Sequence, residues 1–274
     1  MSKIIRVYCE GNTSSHDHDI LEKVIDGLPA NVEIVPLGSI RGSRAIVQYV
    51  EAKNIVKSHF KVLFRDRDFD KEIPVHEKLE RDEYNQYCYY AYRNTIENYL
   101  FDTSLIVSFV QKESLSDKYS IQSENDAKNK FIDAAERIKY YQAVRHSMGK
   151  MRTGQTNFGT KLTSKSGILP TLLDQEYCKN EGWEKIMQAK SFADSWTENN
   201  FLILYQEFID KFDSYFMENL VFLAYFHGKD FASSLKITLP DFPLKNYYKF
   251  AKQHFNYCKF HDLIELRNLI EEHL

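Results

Sequence analysis

The sequence predicts an α/β fold, a mostly parallel, Rossmann-like sheet flanked by helices, followed by a helical region. Three observations carry this expectation. Short apolar runs alternate with helix-period segments over the first hundred residues. Acidic residues stand at the ends of several of those runs. After about residue 104 every periodic segment has helical spacing.

Taken in order, Ile4 to Cys9 is the first apolar strand. Asp17 to Leu28 has helical period, with Ile20, Leu21, Val24, Ile25 and Leu28 on one face, and Pro29 ends it. Val32 to Leu37 is the second strand, followed by a small-residue turn from Gly38 to Ser43. Arg44 to Lys57 is the second helix, with Ala45, Ile46, Tyr49, Val50 and Val56 facing in. Lys61 to Phe64 opens the third strand, and Tyr87 to Tyr92 is the fourth. This order implies right-handed crossovers. Uniformly apolar strands are those covered on both faces. The later helices are expected at Asp126–Ala143, Thr171–Lys179, Trp183–Ala193, Asn199–Tyr225, Leu244–Cys258 and Asp262–Leu274. Between the first two, Ser147 to Gly167 is polar, carries Gly149, Gly154, Gly159 and Gly167, and reads as a long loop. The expected division is an α/β domain over 1–105 and a helical domain over 106–274, with a basic, glycine-bearing loop near 145–167.

Composition removes several classes. No apolar run is longer than Leu220 to Phe226, so no membrane span is expected, and Met1 to Arg6 has no signal-peptide core. Cys9, Cys88, Cys178 and Cys258 are scattered without a CxxC pair, which argues against a zinc ribbon or a disulfide framework. The simplest expectation is a reduced, cytoplasmic protein. The net charge of −3 hides an asymmetry. Arg137 to Leu173 contains no Asp or Glu but seven cations: Arg137, Lys139, Arg145, Lys150, Arg152, Lys161 and Lys165. That window carries +7, so the rest of the chain carries −3 − 7 = −10.

In open parallel sheets, functional groups gather at the C-terminal ends of the strands. Here the first strand ends in Glu10-Gly11, and the third in Asp66 and Asp68, with Asp70 just beyond. The fourth runs into Thr95-Ile96-Glu97-Asn98-Tyr99-Leu100. Residues two apart on a strand share a face, so Asp66 and Asp68 are expected to point the same way. Glu10 on a neighbouring strand would complete the cluster. Three clustered carboxylates repel one another unless a cation sits among them, and Mg²⁺ prefers such hard oxygen ligands. A metal site of this kind activates water for phosphodiester hydrolysis. The competing reading makes the same acids loop residues or helix N-caps.

The succession of strand, Glu10-Gly11, helix, strand with Gly38, helix and strand with Asp66-Arg67-Asp68 resembles a Toprim domain over roughly residues 3 to 105. Ile96-Glu97-Asn98-Tyr99-Leu100 resembles the "iEnYL" segment of a Toprim-like family related to OLD nucleases. His227-Gly228-Lys229-Asp230, followed by Phe231 and Leu235, resembles that family's late "GKD" motif. Within the family the chain is most similar to the Toprim effector of PARIS-type anti-phage systems. The resemblance implies Glu10 as acid–base and metal-site carboxylate, and Asp66 and Asp68 as ligands of Mg²⁺, with Mn²⁺ as a substitute. It also implies an ABC-type ATPase partner, host tRNA as substrate and a toxic, antiviral role. The family often carries an Asp shortly after Glu-Gly. Here Asn12 to His16 intervene before Asp17 and Asp19, and either of the two could take that place.

Other residues keep two readings. Lys229 either stabilises charge on the phosphate or is a solvated lysine after a Gly228 helix cap. His227 is either a proton carrier or a histidine satisfied at a helix end, and the second is preferred. Glu97 is a further metal ligand or a helix cap, and Asp70 a back-up ligand. Arg65 and Arg67 are salt-bridge partners or phosphate contacts. The basic window, through Arg145, Lys150, Arg152, Lys161 and Lys165, would contact nucleic acid, with Tyr140, Tyr141 and Phe158 stacking on bases. Alternatively it is a solvated helix end and loop, or docks on an acidic partner. The aromatic-rich helices are core or a homodimer surface. Three functions stay open: a tRNA endoribonuclease, an OLD-like DNA nuclease or nickase, and a catalytically silent module that only binds a partner ATPase. No GxxxxGK[ST] run offers an ATP site in this chain.

Overall fold

A computed structural model describes residues 4–38, 47–48, 50–51, 54, 57–152, 159–163, 165–190 and 197–274. Among the described residues, five strands form one sheet: β1 Ile5–Cys9, β2 Val32–Pro36, β3 Phe60–Arg65, β4 Glu80–Arg81 and β5 Cys88–Tyr90. Their order is β2-β1-β3-β5-β4, parallel except for β4, which pairs antiparallel with β5. The sequence reading misses β4, whose Glu80-Arg81 has no apolar signal. The central β1 is buried at every position, as a strand covered on both faces must be.

Two compact units are present. One comprises Met1–Arg67, Ile73–Ile96 and Lys249–Leu274, and the other Asp68–Glu72 and Glu97–Tyr248. The chain therefore does not divide at 105/106. The last segment belongs to the sheet's unit, and a short acidic stretch after β3 belongs to the helical one.

In the sheet's unit, α1 (His16–Ile25) begins at Ser15, whose hydroxyl accepts the His18 N–H, with Asp17 and Asp19 favourably placed in the first turn. Of the expected helix Arg44–Lys57, residues 47–48 and 50–51 are helical, Asn54 and Lys57 are not, and the others lie outside the described residues, as does most of the Gly38–Ser43 turn. Glu51 is held by the Tyr8 hydroxyl, by Arg6 at 3.2 Å and by the Ser58 N–H at 3.2 Å. Burial alone would raise its pKa, but those bonds pull it down to about 2. The C-terminal helix, His261–Glu271, buries Leu263, Leu266 and Ile270, and its Arg267 donates to the carbonyls of Val24 and Asp26 at 2.8 Å each.

In the helical unit, a 3-10 turn at Ile96–Leu100 precedes α2 (Thr103–Lys112), which the sequence reading does not contain. After a short α3 (Ser116–Tyr119), α4 spans Glu124–Met151, started by a capping box between Ser123 and Asp126. This helix packs against α2, α5 (Gln175–Ala189), α6 (Glu198–Lys211) and a later helix, Gly228–Thr238. It overturns the loop expected to start near 145, because Arg145 to Met151 is helical. Gly149 suits the close packing there: a Cβ would lie 2.7 Å from the Phe69 carbonyl oxygen. Gly154 and Phe158 lie outside the described residues.

The helices expected at Thr171–Lys179 and Trp183–Ala193 form one element, α5, over the described residues. The one expected over Asn199–Tyr225 is broken into α6, α7 (Ser214–Glu218) and α8 (Phe222–Tyr225). The break follows Asp213, whose carboxylate caps α7 through the Phe216 N–H at 2.8 Å. Phe201, Phe208, Phe212, Phe216, Phe222 and Phe226 are buried and act as core. All four cysteines are free thiols, and no helix among the described residues is long and apolar enough to cross a membrane.

Candidate functional site

Within the sheet's unit, Glu10 follows β1 and Asp66 follows β3, so both stand at the C-terminal edge of neighbouring parallel strands. Gly11 has φ +81°, and a Cβ there would lie 2.6 Å from Ser15 Cβ. Only glycine lets the chain turn from β1 into the capped start of α1 without displacing the cap. The Gly11 carbonyl accepts the Gly38 N–H at 2.7 Å, which ties the ends of β1 and β2 together. The two candidate aspartates separate. Asp17 lies beside Gly11, whereas Asp19 is ion-paired with Lys252. Burial pushes the Cys9 thiol up to about 12, helped by Asp17 and Glu10, which marks this edge as electronegative.

Arg65 and Arg67 resolve as structural partners. Arg67 is fully buried, donates to the Ala91 carbonyl at 2.6 Å and pairs with Glu80 at 2.9 Å. Arg65 reaches the Tyr90 hydroxyl at 3.3 Å and lies over its ring.

The helical unit holds the rest of the candidates. Asp66 and Asp68 do not share a strand face, because β3 stops at Arg65 and the chain turns at once. Asp68 and Phe69 both adopt left-handed backbone, φ +47° and +66°, at a cost on the order of 1 kcal/mol or more each. Packing on Phe69 holds this turn. His146 meets its ring edge-on at 4.7 Å, the Arg145 guanidinium lies 4.3 Å over it, and His227 lies nearly parallel to it at 6.1 Å. His227 Nε2 is 3.4 Å from an Asp68 carboxylate oxygen. Burial would raise the Asp68 pKa, but the bond from His227 and the charges of Arg145 and Lys229 outweigh it and hold the carboxyl below its ordinary value. Asp68 is therefore an ionised carboxylate, and its side chain is still 44% exposed.

Gly228 does not close a helix. His227 is the N-cap of α9 (Gly228–Thr238), with its Nδ1 accepting the Lys229 N–H at 3.2 Å. Lys229 carries its ammonium 3.4 Å from the buried Glu97, itself in the Ile96–Leu100 turn. The pair puts a partly exposed cation beside a neutralising carboxylate. Asp70 is ion-paired with Arg152. Asp230, the last residue of the late motif, is fully buried. It binds Arg145, Gln142 Nε2 at 2.9 Å and the Gly167 N–H at 2.9 Å.

That arrangement corrects one expected nucleic-acid contact. Arg145 is buried, engaged by Asp230 and within 3.3 Å of the Ser166 hydroxyl, so it braces the 160–167 segment rather than facing a polyanion. Tyr141 is buried too and offers no stacking face. Lys150 pairs with Glu72 at 3.1 Å, and Arg152 with Asp70. Lys161 is half-buried and Lys165 exposed. Sequence reasoning missed Phe69 and Gln142 and undervalued His227. The only available signal was the place of His227 directly before Gly228-Lys229-Asp230.

The donor chemistry of the sheet edge fits a hard divalent cation, because Glu10 and Asp66 are half-exposed carboxylates there. Among the described residues, one group of three imidazole and carboxylate ligands lies within 4.8 Å, His18, Asp19 and Glu22 on α1. It is not the set the sequence singles out. No protein-family model and no curated protein matches the chain.

Proposed function

We propose that this chain is a Toprim-type, Mg²⁺-dependent endonuclease of the OLD-related family, most similar to the effector of PARIS-type anti-phage systems. The observation that carries the reading is the pair of carboxylates, Glu10 and Asp66, at the C-terminal ends of adjacent central strands of a β2-β1-β3-β5 parallel sheet. The glycine demanded after Glu10 and the ionised Asp68 support it.

Glu10, Asp66 and Asp68 are the proposed cation ligands. Bound Mg²⁺, or Mn²⁺ in its place, would lower the pKa of a water and offset charge on the phosphodiester. Glu10 takes the proton of the attacking water, and Lys229 stabilises negative charge on the phosphate or leaving oxygen. Glu97, paired with Lys229, and Asp70, paired with Arg152, are the secondary candidates for the ligand set. The substrate is tRNA, met by Lys161 and Lys165, with Lys150 and Arg152 exchanging their acidic partners for phosphate. An ABC-type ATPase holds the effector until infection, and the released effector acts as a homodimer in the cytoplasm.

Sequencing of cellular RNA ends after expression of wild type and Glu10→Ala tests this. Wild type should produce new tRNA ends and toxicity. Glu10→Ala should produce neither, with unchanged thermal unfolding. A toxic Glu10→Ala variant would remove the metal-site assignment. Incubation with Mg²⁺ and either tRNA or plasmid separates a ribonuclease from a DNA nickase. Inactivity on both, without carboxylate-dependent metal binding, would leave a silent ATPase-binding module.

A further inference from the structure

We propose that His227 is a positioning residue for Asp68, its Nε2–H fixing the orientation of the ligand carboxylate. This rests on the metal-dependent reading above. The tautomer follows from hydrogen bonding. The Lys229 N–H points at Nδ1 from 3.2 Å, so Nδ1 accepts and carries no proton. The ring proton is then on Nε2, 3.4 Å from Asp68 Oδ1. The helix start selects the tautomer, and the tautomer supplies a donor to the carboxylate.

His227 is itself held in place. Its backbone N–H donates to Gln142 Oε1 at 3.0 Å, and the Gln142 amide donates in turn to the buried Asp230. Its ring lies along Phe69, the residue after Asp68. Only 3% of His227 is exposed, so solvent does not compete for the Nε2 proton. Asp68 sits on left-handed backbone, where its rotamer has little help from regular structure. A rigid donor opposite the carboxylate limits its freedom before any cation arrives, the role that outer partners play for metal ligands in general.

Two substitutions separate this role from helix capping. His227→Asn keeps a side-chain acceptor for the Lys229 N–H, and Asn is a strong N-cap, but its amide is too short to reach Asp68. His227→Gln places an amide N–H near the former Nε2 but is a poor cap. Both lose the ring beside Phe69, so the two variants are compared with each other. On the purified full chain, calorimetric Mn²⁺ titration and thermal unfolding should give crossed orders. The Asn variant should have the higher Tm, yet bind Mn²⁺ about 10-fold more weakly than wild type. The Gln variant should have the lower Tm, yet bind within about 3-fold of wild type. Equal Mn²⁺ affinity of the Asn variant and wild type would overturn the positioning role alone. So would affinities that simply follow Tm. Wild type that binds no Mn²⁺ would overturn the metal reading and, with it, this proposal.

Discussion

Asp230→Ala tests whether the late motif's acid is a brace. The carboxylate is fully buried and accepts from Arg145, Gln142 Nε2 and the Gly167 N–H. Each hydrogen bond to a charged group contributes about 1.5–3 kcal/mol. Breaking a buried ion pair on one side costs about 3–5 kcal/mol, because the other charge stays stranded. The contributions overlap, so the expected loss is about 4 kcal/mol, against a total stability of roughly 5–15 kcal/mol. In thermal unfolding that is a fall of about 10 °C or more. Arg145→Met combined with Asp230→Ala removes the stranded charge and should cost clearly less than the two single losses added together. The pH profile gives an independent reading. Burial pushes the Asp230 pKa up, but Arg145 and the other donors outweigh it, so the folded value lies below 3.8. The brace is therefore fully present above pH 3.8 and lost as pH falls through the lower folded value, a slope the Ala variant should lack. Urea unfolding of the four proteins measures all of this. A single-variant loss below about 1 kcal/mol, or strict additivity in the double variant, would refute the brace.

Two further outcomes follow from local packing. Gly149→Ala improves helix propensity by about 1 kcal/mol, yet its Cβ would lie 2.7 Å from the Phe69 carbonyl oxygen, so a net loss in urea unfolding is expected; a more stable variant would mean that the Asp68–Phe69 turn yields freely. The low pKa of Glu51, about 2 against an ordinary 4.5, contributes stability that is present above pH 4.5 and lost as pH falls toward 2. Glu51→Gln should flatten that part of the acid unfolding curve, and an unchanged curve would show that the Tyr8 and Arg6 bonds carry no such linkage.

What could be read in the chain was what periodicity and strand-end chemistry encode. β1, β2, β3 and β5 and their parallel order follow from short apolar runs separated by helix-period segments, and Glu10 and Asp66 follow from where such runs stop. A local pattern misleads where it stops short of the group of interest. Alternation along β3 does not extend to Asp68, because an Asp-Phe-Asp sequence has nothing to continue an apolar strand. Gly149 looks like a loop signal, but its lack of a side chain serves helix packing. Gly228 as a helix end, one of the two readings of Lys229, does not hold, because His227 caps the following helix, is not a usual N-cap residue and reveals itself only through the Lys229 N–H. No single-sequence signal could have paired Arg145 with Asp230, 85 residues apart.

The fate of the basic window shows how far charge counting goes. A +7 segment suggests a polyanion contact, but such an inference assumes that the cations are available. Arg145 is spent on Asp230 inside the fold, Lys139 lies 2.6 Å from Glu136, Lys150 pairs with Glu72 and Arg152 with Asp70. Arg145 cannot be recovered by a ligand, because its removal would strand a buried carboxylate. The three surface pairs can be, since exposed ion pairs are worth only about 0–1 kcal/mol and a phosphate oxygen replaces the carboxylate at little cost. The segment's usable charge is thus set by which acids it faces. Two of those acids, Asp70 and Glu72, belong to the same short stretch as Asp68. A phosphate that displaced them would act on the very turn that presents the proposed metal-ligand carboxylate.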